Sequence, residues 1–157
     1  MTRQILLSLA AEMKGEPGSV ENDRAFIHEY LQQRGIDSTS LNLVNGAGLS
    51  RETRVSTRML ADVLLLADSI LFMPEFVSSL SIMGLDGTAR NRLRRRIKPG
   101  HARVKTGTID HVSAITGFID ANSGKRFIIV GMLNHLDAHR GPGEELMNAL
   151  AEWTSRQ

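Results

Sequence analysis

Val104-Lys105-Thr106-Gly107-Thr108-Ile109 sits between apolar-rich segments with strand character. Val104 to Thr108 reads as one strand, Val112 to Ile119 as a second and Arg126 to Leu133 as a third. Asp120-Ala121-Asn122-Ser123-Gly124-Lys125 joins the last two as a hairpin loop. Phe127 to Leu133 is almost wholly apolar, as a strand covered on both faces would be. Within the first strand the residue types suit an anionic ligand. Lys105 supplies a fixed positive charge and Thr106 and Thr108 supply hydroxyl donors. Gly107 lets backbone approach a bound molecule with no Cβ in the way. A strand edge adds N–H groups that can face a developing negative oxygen. By letters alone, Lys105-Thr106-Gly107-Thr108 also fits a plain turn between strands.

Upstream the period changes from two to that of helices. Ile5, Leu6, Leu9, Ala10 and Met13 mark an opening helix, broken by Gly15-Glu16-Pro17-Gly18. Ser19 reads as the N-cap of a second helix, with Glu21 and Asp23 in its first turn and Phe26, Ile27, Tyr30 and Leu31 as its apolar face. Gly35 ends it. Leu41 to Val44 is a short apolar stretch entering the loop Asn45-Gly46-Ala47-Gly48-Leu49-Ser50-Arg51. Ser56 caps a third helix with Met59, Leu60, Val63, Leu64 and Ala67 inward, and Pro74 starts a short helix through Leu80. Gly84-Leu85-Asp86-Gly87-Thr88 is a turn, and Arg90 to Lys98 is a basic run closed by Pro99-Gly100. A last helix covers roughly Gly143 to Trp153, with Leu146, Met147, Leu150 and Trp153 on one side. Helices, then a meander, then a terminal helix predict an α+β fold.

Composition sets outer bounds. The 157 residues suit one domain, and 41% hydrophobic with 23% charged residues is ordinary for a globular chain. Net charge is +2, too small by itself to imply nucleic acid. The absence of cysteine excludes disulfides, thiol catalysis and thiolate metal sites. No segment reaches the ~18 apolar residues of a membrane span. Met1-Thr2-Arg3-Gln4-Ile5 lacks a signal-peptide layout, which leaves a cytosolic protein or a piece cut from a longer secreted one.

Other chemistry-bearing residues read as structural. His135-Leu136-Asp137-Ala138-His139 groups possible metal ligands, but nothing else in sequence completes a shell, so a polar loop is expected and no metal. His111 is expected as a solvated turn residue. The basic residues Arg90, Arg92, Arg94, Arg95, Arg96 and Lys98 have no stacking aromatics beside them, so a solvated face is expected rather than a nucleic-acid surface. Gly46-Ala47-Gly48 lacks the glycine pattern and lysine of a phosphate loop.

Taken together, the motifs resemble the D-alanyl-D-alanine carboxypeptidase/endopeptidase family of penicillin-binding proteins, the low-molecular-mass class C type. The matching stretches are Asn45 to Arg51 with Arg54-Val55-Ser56, then Gly84 to Thr88, then Lys105-Thr106-Gly107-Thr108 with Val112-Ser113-Ala114, in fitting order and spacing over nearly the whole chain. The family has Asp-Gly-Ser-Gly-Leu-Ser-Arg at the first stretch, where Asn45 and Ala47 replace Asp and Ser. Its nucleophile lies in Ser-x-x-Lys and its second motif is Ser-x-Asn. Neither occurs here in usable form: no serine precedes a lysine by three, and Ser19-Val20-Glu21-Asn22 has the wrong spacing. In the family, Ser-x-Asn directly precedes the helix that Met1 to Met13 resembles. The expectation is that residues 1–157 are a single partial domain, the C-terminal part of a penicillin-binding transpeptidase-like domain with an antiparallel sheet and packed helices, whose nucleophile lies upstream.

The resemblance implies a periplasmic parent enzyme. It would hydrolyse the terminal D-Ala-D-Ala of peptidoglycan stem peptides, and cross-links as an endopeptidase, through a serine acyl-enzyme. β-Lactams would acylate the same serine, and no cofactor is implied. Lys105 would be the catalytic residue of this part. Thr106, Gly107 and Thr108 would bind substrate, the two hydroxyls on its terminal carboxylate and the Thr108 N–H as half of the oxyanion hole. The alternative is a non-catalytic module that binds D-Ala-D-Ala peptides without cleaving them. As an isolated piece the chain is expected to be inactive and to self-associate through the edge of Arg126 to Leu133, weakened by a lysine at Ile129.

Overall fold

Gly15 and Pro17 part the first two helices, α1 at Thr2–Lys14 and α2 at Val20–Gln32, in a computed structural model that describes residues 2–157 except Glu16, Leu49 and Arg95. The Lys14 side chain also lies outside the described atoms, as do the parts of the predicted break, loop and basic run that fall on Glu16, Leu49 and Arg95. The chain forms two compact units, Met1–Met59 and Leu60–Gln157.

In the first unit Ser19 caps α2 as expected, its Oγ accepting from the Asn22 N–H at 3.1 Å. Gly35, at φ +72°, stops the helix, and the Ile36 N–H returns to the Leu31 carbonyl at 3.0 Å. The apolar face of α1 differs from expectation. Ala10 is fully buried, but Ile5, Leu9 and Met13 are exposed. Leu6 of that set is half-buried against the loop at Gly46, and Leu7, outside the set, is half-buried against the chain at Gly18. Leu41 to Val44 makes no strand. Asn42 and Arg54 form an isolated antiparallel bridge with backbone bonds of 2.9 and 3.0 Å. Helix α3, Thr57–Ser69, begins at the end of this unit, capped by Ser56, whose Oγ accepts from the Met59 N–H, and its residues from Leu60 onward belong to the second unit.

The second unit holds a short helix α4, Met73–Ser78, with Pro74 in its first turn, and then strand β1, Ser81–Ile82. β1 is absent from the sequence expectation, because two residues carry no periodicity. Strands β2 (Ala102–Ile109), β3 (Val112–Asp120) and β4 (Arg126–Asn134) follow, and helix α5 spans Pro142–Ser155. Among the described residues the sheet is antiparallel in the order β1-β2-β3-β4. The α+β class is thus present. One face of the sheet carries Val104, Ile115, Ile119 and Ile129 onto Met147 and Ala151 of α5, all buried. Burying each large aliphatic side chain there contributes about 1.5–3 kcal/mol. On the other face buried Phe118 meets Phe76 of α4 edge-on at 6.4 Å. Arg126 closes that end, bonded to Asp120 at 2.7 Å with Asp68 at 3.8 Å. The Asp120 bond raises the Arg126 pKa against the opposing effect of burial.

Two other expectations need correction. Leu146 and Trp153 of α5 are exposed, and its buried side is Gly143, Met147, Ala151, Thr154 and Ser155. The basic run is also not uniformly solvated. Arg92 is only 6% exposed, its Nε donating to Asn148 Oδ1 at 2.7 Å and its terminal nitrogen to the Glu144 carbonyl at 3.3 Å. Burial lowers its pKa, and the Glu144 carboxylate opposes that shift.

The β2–β3 contact depends on one glycine. Gly117 pairs with Val104 at φ +150°, and a Cβ there would lie 2.1 Å from the Arg103 carbonyl oxygen. That obstacle is backbone and cannot rotate away. Gly117→Ala is expected to cost about 3 kcal/mol of stability, as overpacking against a rigid neighbour does. Urea denaturation measures this, and a loss below about 1 kcal/mol would mean that the two strands separate more easily than described.

Candidate active site

Strand β2 runs well past its outer neighbour. β1 pairs only with Val104 and Arg103, whereas β2 continues to Ile109. In an antiparallel strand the N–H and C=O of one residue point to the same side, and the side alternates. The Met83 N–H donates to the Ala102 carbonyl at 3.0 Å, so Ala102 faces outward, and with it Val104, Thr106 and Thr108. Beyond β1, among the described residues, the polar backbone groups of Thr106 and Thr108 have no strand partner.

Lys105 is exposed at this edge, and its Nζ donates to the Thr106 carbonyl at 2.5 Å. Across the ladder Lys105 faces Thr116, whose Oγ1 is buried and without a hydrogen-bond partner among the described residues. Gly107 is exposed, and the nearest atom to a Cβ built there would be the Ala114 Cβ at 3.9 Å, so the surface above it is open. The outward N–H groups of Thr106 and Thr108, two hydroxyls, a cation and an open glycine are the chemistry that an extended chain with a negative end would need.

A second expected motif meets the first. The 3-10 turn Gly87–Ala89 follows Asp86, whose Oδ1 accepts from the Ile82 N–H at 2.5 Å. The Gly84 N–H donates to the Ala89 carbonyl at 2.9 Å, and Ala89 is fully buried. Gly87, at φ +54°, leaves space where a Cβ would stand 2.1 Å from Ser81 Oγ. The turn thereby brings Thr88 Oγ1 to 2.8 Å from Thr106 Oγ1. Sequence reading picked out the turn and the matching motif but assigned Thr88 no role; the hydroxyl contact between positions so far apart in sequence has no local signal.

Asp110-His111 turns β2 into β3 directly after the binding edge. His111 holds φ +68° and is exposed, as expected of a turn residue. Its N–H donates to His139 Nδ1 at 3.0 Å, its Nδ1 lies 2.8 Å from the Leu136 carbonyl, and its own carbonyl accepts from the His135 N–H at 2.9 Å. The two rings meet edge-on at 5.4 Å. His135 Nδ1 in turn accepts from the Asp137 N–H at 3.2 Å. The Nδ1 atoms of all three rings thus tie turns together. Among the described residues no group of three or more His, Asp or Glu is placed to share a metal ion.

The loop at 45–51 lies in the first unit. Asn45 Oδ1 accepts from the Ala47 N–H at 3.0 Å, the bond that an aspartate would make there. Ser40-Leu41-Asn42 matches Ser-x-Asn by letters. Ser40, however, donates to Ser56 Oγ at 3.1 Å, and the Asn42 amide donates to the Glu52 carbonyl at 2.9 Å. Both side chains thus hold the loop together.

A profile of the D-Ala-D-Ala carboxypeptidase 3 (S13) family matches residues 1–157. The chain belongs to this family. This S13 chain is 31% identical over 142 residues to a D-alanyl-D-alanine carboxypeptidase of Actinomadura sp. (strain R39), an alignment covering 83% of the chain and 26% of the relative. It is 30% identical over 148 residues to carboxypeptidase DacB of Mycolicibacterium smegmatis, covering 90% and 31%. It therefore spans between a quarter and a third of these relatives' length. The fold matches the crystal structure of penicillin binding protein 4 (dacB) from Haemophilus influenzae in complex with a β-lactam, with a TM-score of 0.89 at 21% identity, covering 99% of the chain and 38% of that structure. A predatory endopeptidase from Bdellovibrio bacteriovorus shares the fold at a TM-score of 0.66 and 18% identity, covering 87% and 37%.

Proposed function

We propose that this S13 chain is the C-terminal part of a serine-type D-Ala-D-Ala carboxypeptidase catalytic domain, with endopeptidase activity on the same class of bond. The observation that carries the reading is the uncovered β2 edge bearing Lys105-Thr106-Gly107-Thr108. Membership of a carboxypeptidase family supports the reaction class. The substrate is a peptidoglycan stem peptide ending in D-Ala-D-Ala, and the parent protein acts in the periplasm, where that polymer lies. β-Lactams acylate the same nucleophile.

The peptide lies along β2 as an added strand. Thr106 and Thr108 hydroxyls hold its terminal carboxylate. Gly107 admits the peptide backbone, and the Thr108 N–H stabilises the oxyanion formed when the serine attacks. Lys105 leaves its resting bond to the Thr106 carbonyl and provides positive charge beside the proton path of the Ser-x-Asn serine. On this reading the nucleophile and the second oxyanion donor lie in sequence preceding this chain, and residues 1–157 belong to one domain with them. No membrane insertion is invoked; among the described residues no helix is long and apolar enough to cross a membrane.

The backbone edge of β4, unpaired among the described residues, suggests that the isolated chain self-associates as a two-fold dimer through that strand. Ile129 is a poor probe of this, because it is 4% exposed and packs toward α5, so a lysine there would disrupt the core. Val130, half-buried and opposite Thr116, lies on the other face.

Three outcomes follow. The isolated chain is expected to gain no mass on incubation with a labelled penicillin, since it lacks the attacking serine; a stable stoichiometric adduct would place the nucleophile within residues 1–157. In the full-length protein, Lys105→Ala is expected to slow penicillin acylation about a hundredfold or more while keeping the melting temperature. Equal acylation rates would remove Lys105 from the mechanism, and a large loss of stability would favour a structural turn instead. Val130→Lys is expected to shift the isolated chain from dimer to monomer in light scattering. A strictly monomeric parent chain at high concentration would overturn the proposed pairing.

A further inference from the structure

We propose that Thr88 is a positioning residue for the carboxylate subsite: its hydroxyl donates to the Thr106 hydroxyl and so turns the Thr106 proton outward, toward the ligand. The inference rests on the proposed role of Thr106 in holding the substrate's terminal carboxylate.

A threonine hydroxyl has one proton and two lone pairs. Thr88 Oγ1 and Thr106 Oγ1, 2.8 Å apart, share a single proton between them, and either oxygen can supply it. The two directions are not equivalent for an anion. If Thr106 donates to Thr88, its proton is spent and its lone pairs repel a carboxylate. If Thr88 donates, the Thr106 proton is left for the ligand. A bound carboxylate selects the second direction, and the chain from Thr88 through Thr106 to the anion polarises each bond in turn. Deleting the Thr88 hydroxyl leaves the Thr106 proton without that bias, so part of the binding energy must go into orienting it.

The placement of Thr88 does not depend on its hydroxyl. The Asp86 carboxylate on the Ile82 N–H, the Gly84 N–H on the Ala89 carbonyl and the buried Ala89 methyl fix the turn. β1 anchors the turn to β2 in turn, with Ser81 opposite Val104, two residues from Thr106. Gly87 keeps the turn tight against Ser81. Thr88 and Thr106 are thus carried on one hydrogen-bonded frame, and each has a β-branched side chain with restricted χ1. Their separation is set by the frame, so a change at the Thr88 hydroxyl acts on the neighbouring hydroxyl and not on the fold.

The test uses a diacyl-lysyl-D-alanyl-D-alanine peptide and the same peptide capped as its terminal amide, with the full-length protein. Apparent affinity is read as KM where the peptide is turned over and as Kd where it is only bound. Thr88→Val, which keeps the shape and removes the hydroxyl, is expected to weaken the free-carboxylate peptide about tenfold, as loss of support for a hydrogen bond to a charged group does. Affinity for the amide should stay unchanged, and Thr88→Ser should restore the carboxylate preference. Thr106→Val should reduce that preference at least as far, leaving the part that Thr108 supplies. If Thr106→Val changes the preference and Thr88→Val does not, the role of Thr88 is overturned while the carboxylate reading stands. If Thr106→Val is silent, both are overturned. Equal weakening of both peptides by Thr88→Val, without rescue by serine, would make Thr88 a structural residue and overturn the inference.

Discussion

The register of β2 against β3 is the constraint from which the candidate site follows. Lys105 lies opposite Thr116 and Thr108 opposite Ser113, so one side of β2 is fully used in the ladder. The other side is covered only as far as β1 reaches. A strand that is paired on one side and bare on the other over a few residues presents backbone donors at fixed spacing, with no reorganisation needed before a ligand arrives. The buried face of the same strand, Ala102 and Val104 under α5, keeps it from shifting. A slip of one residue would send Val104 outward and Lys105 into the core, which the burial of these side chains forbids. Gly117, which lets β3 approach the Arg103 carbonyl, belongs to the same constraint.

What was legible in the sequence depended on how local the cause was. Ser19 capping α2, Ser56 capping α3, Gly35 stopping a helix and the strand character of β2 and β3 arise within a few residues, and they appear where they were read. β1 escaped because its existence comes from pairing with β2 and not from its own pattern. The exposure of Ile5, Leu9 and Met13 escaped for a related reason: periodicity defines a stripe, but the neighbour decides which part of the helix is covered. Arg92 reads as one of many solvated arginines until Asn148 and the Glu144 carbonyl are brought over it. At the candidate site, the Lys105-Thr106-Gly107-Thr108 strand was visible by its residue types. The Thr88 contact joins a turn to a strand and needs the fold to be seen.

Family and fold agree across different degrees of divergence. Identity is 31% and 30% to the two carboxypeptidases, yet the backbone follows penicillin binding protein 4 at a TM-score of 0.89 with only 21% identity. Asn45 illustrates how such drift is tolerated. Where the motif it resembles has an aspartate, Asn45 offers an amide oxygen that accepts from the Ala47 N–H as a carboxylate could, without the charge.

The buried Arg92 has a consequence for how this molecule opens. Its guanidinium ties the segment after the Gly87–Ala89 turn to α5. Prising α5 from the sheet would strip that cation of its protein acceptors before water could reach it from all sides, so the intermediate state is costly. Helix and arginine segment should therefore loosen together as one cooperative unit, and the amides on both should share a common rate of solvent exchange. The basic stretch then behaves less as a tether of charges than as a clasp, keeping the last helix seated on the back of β2.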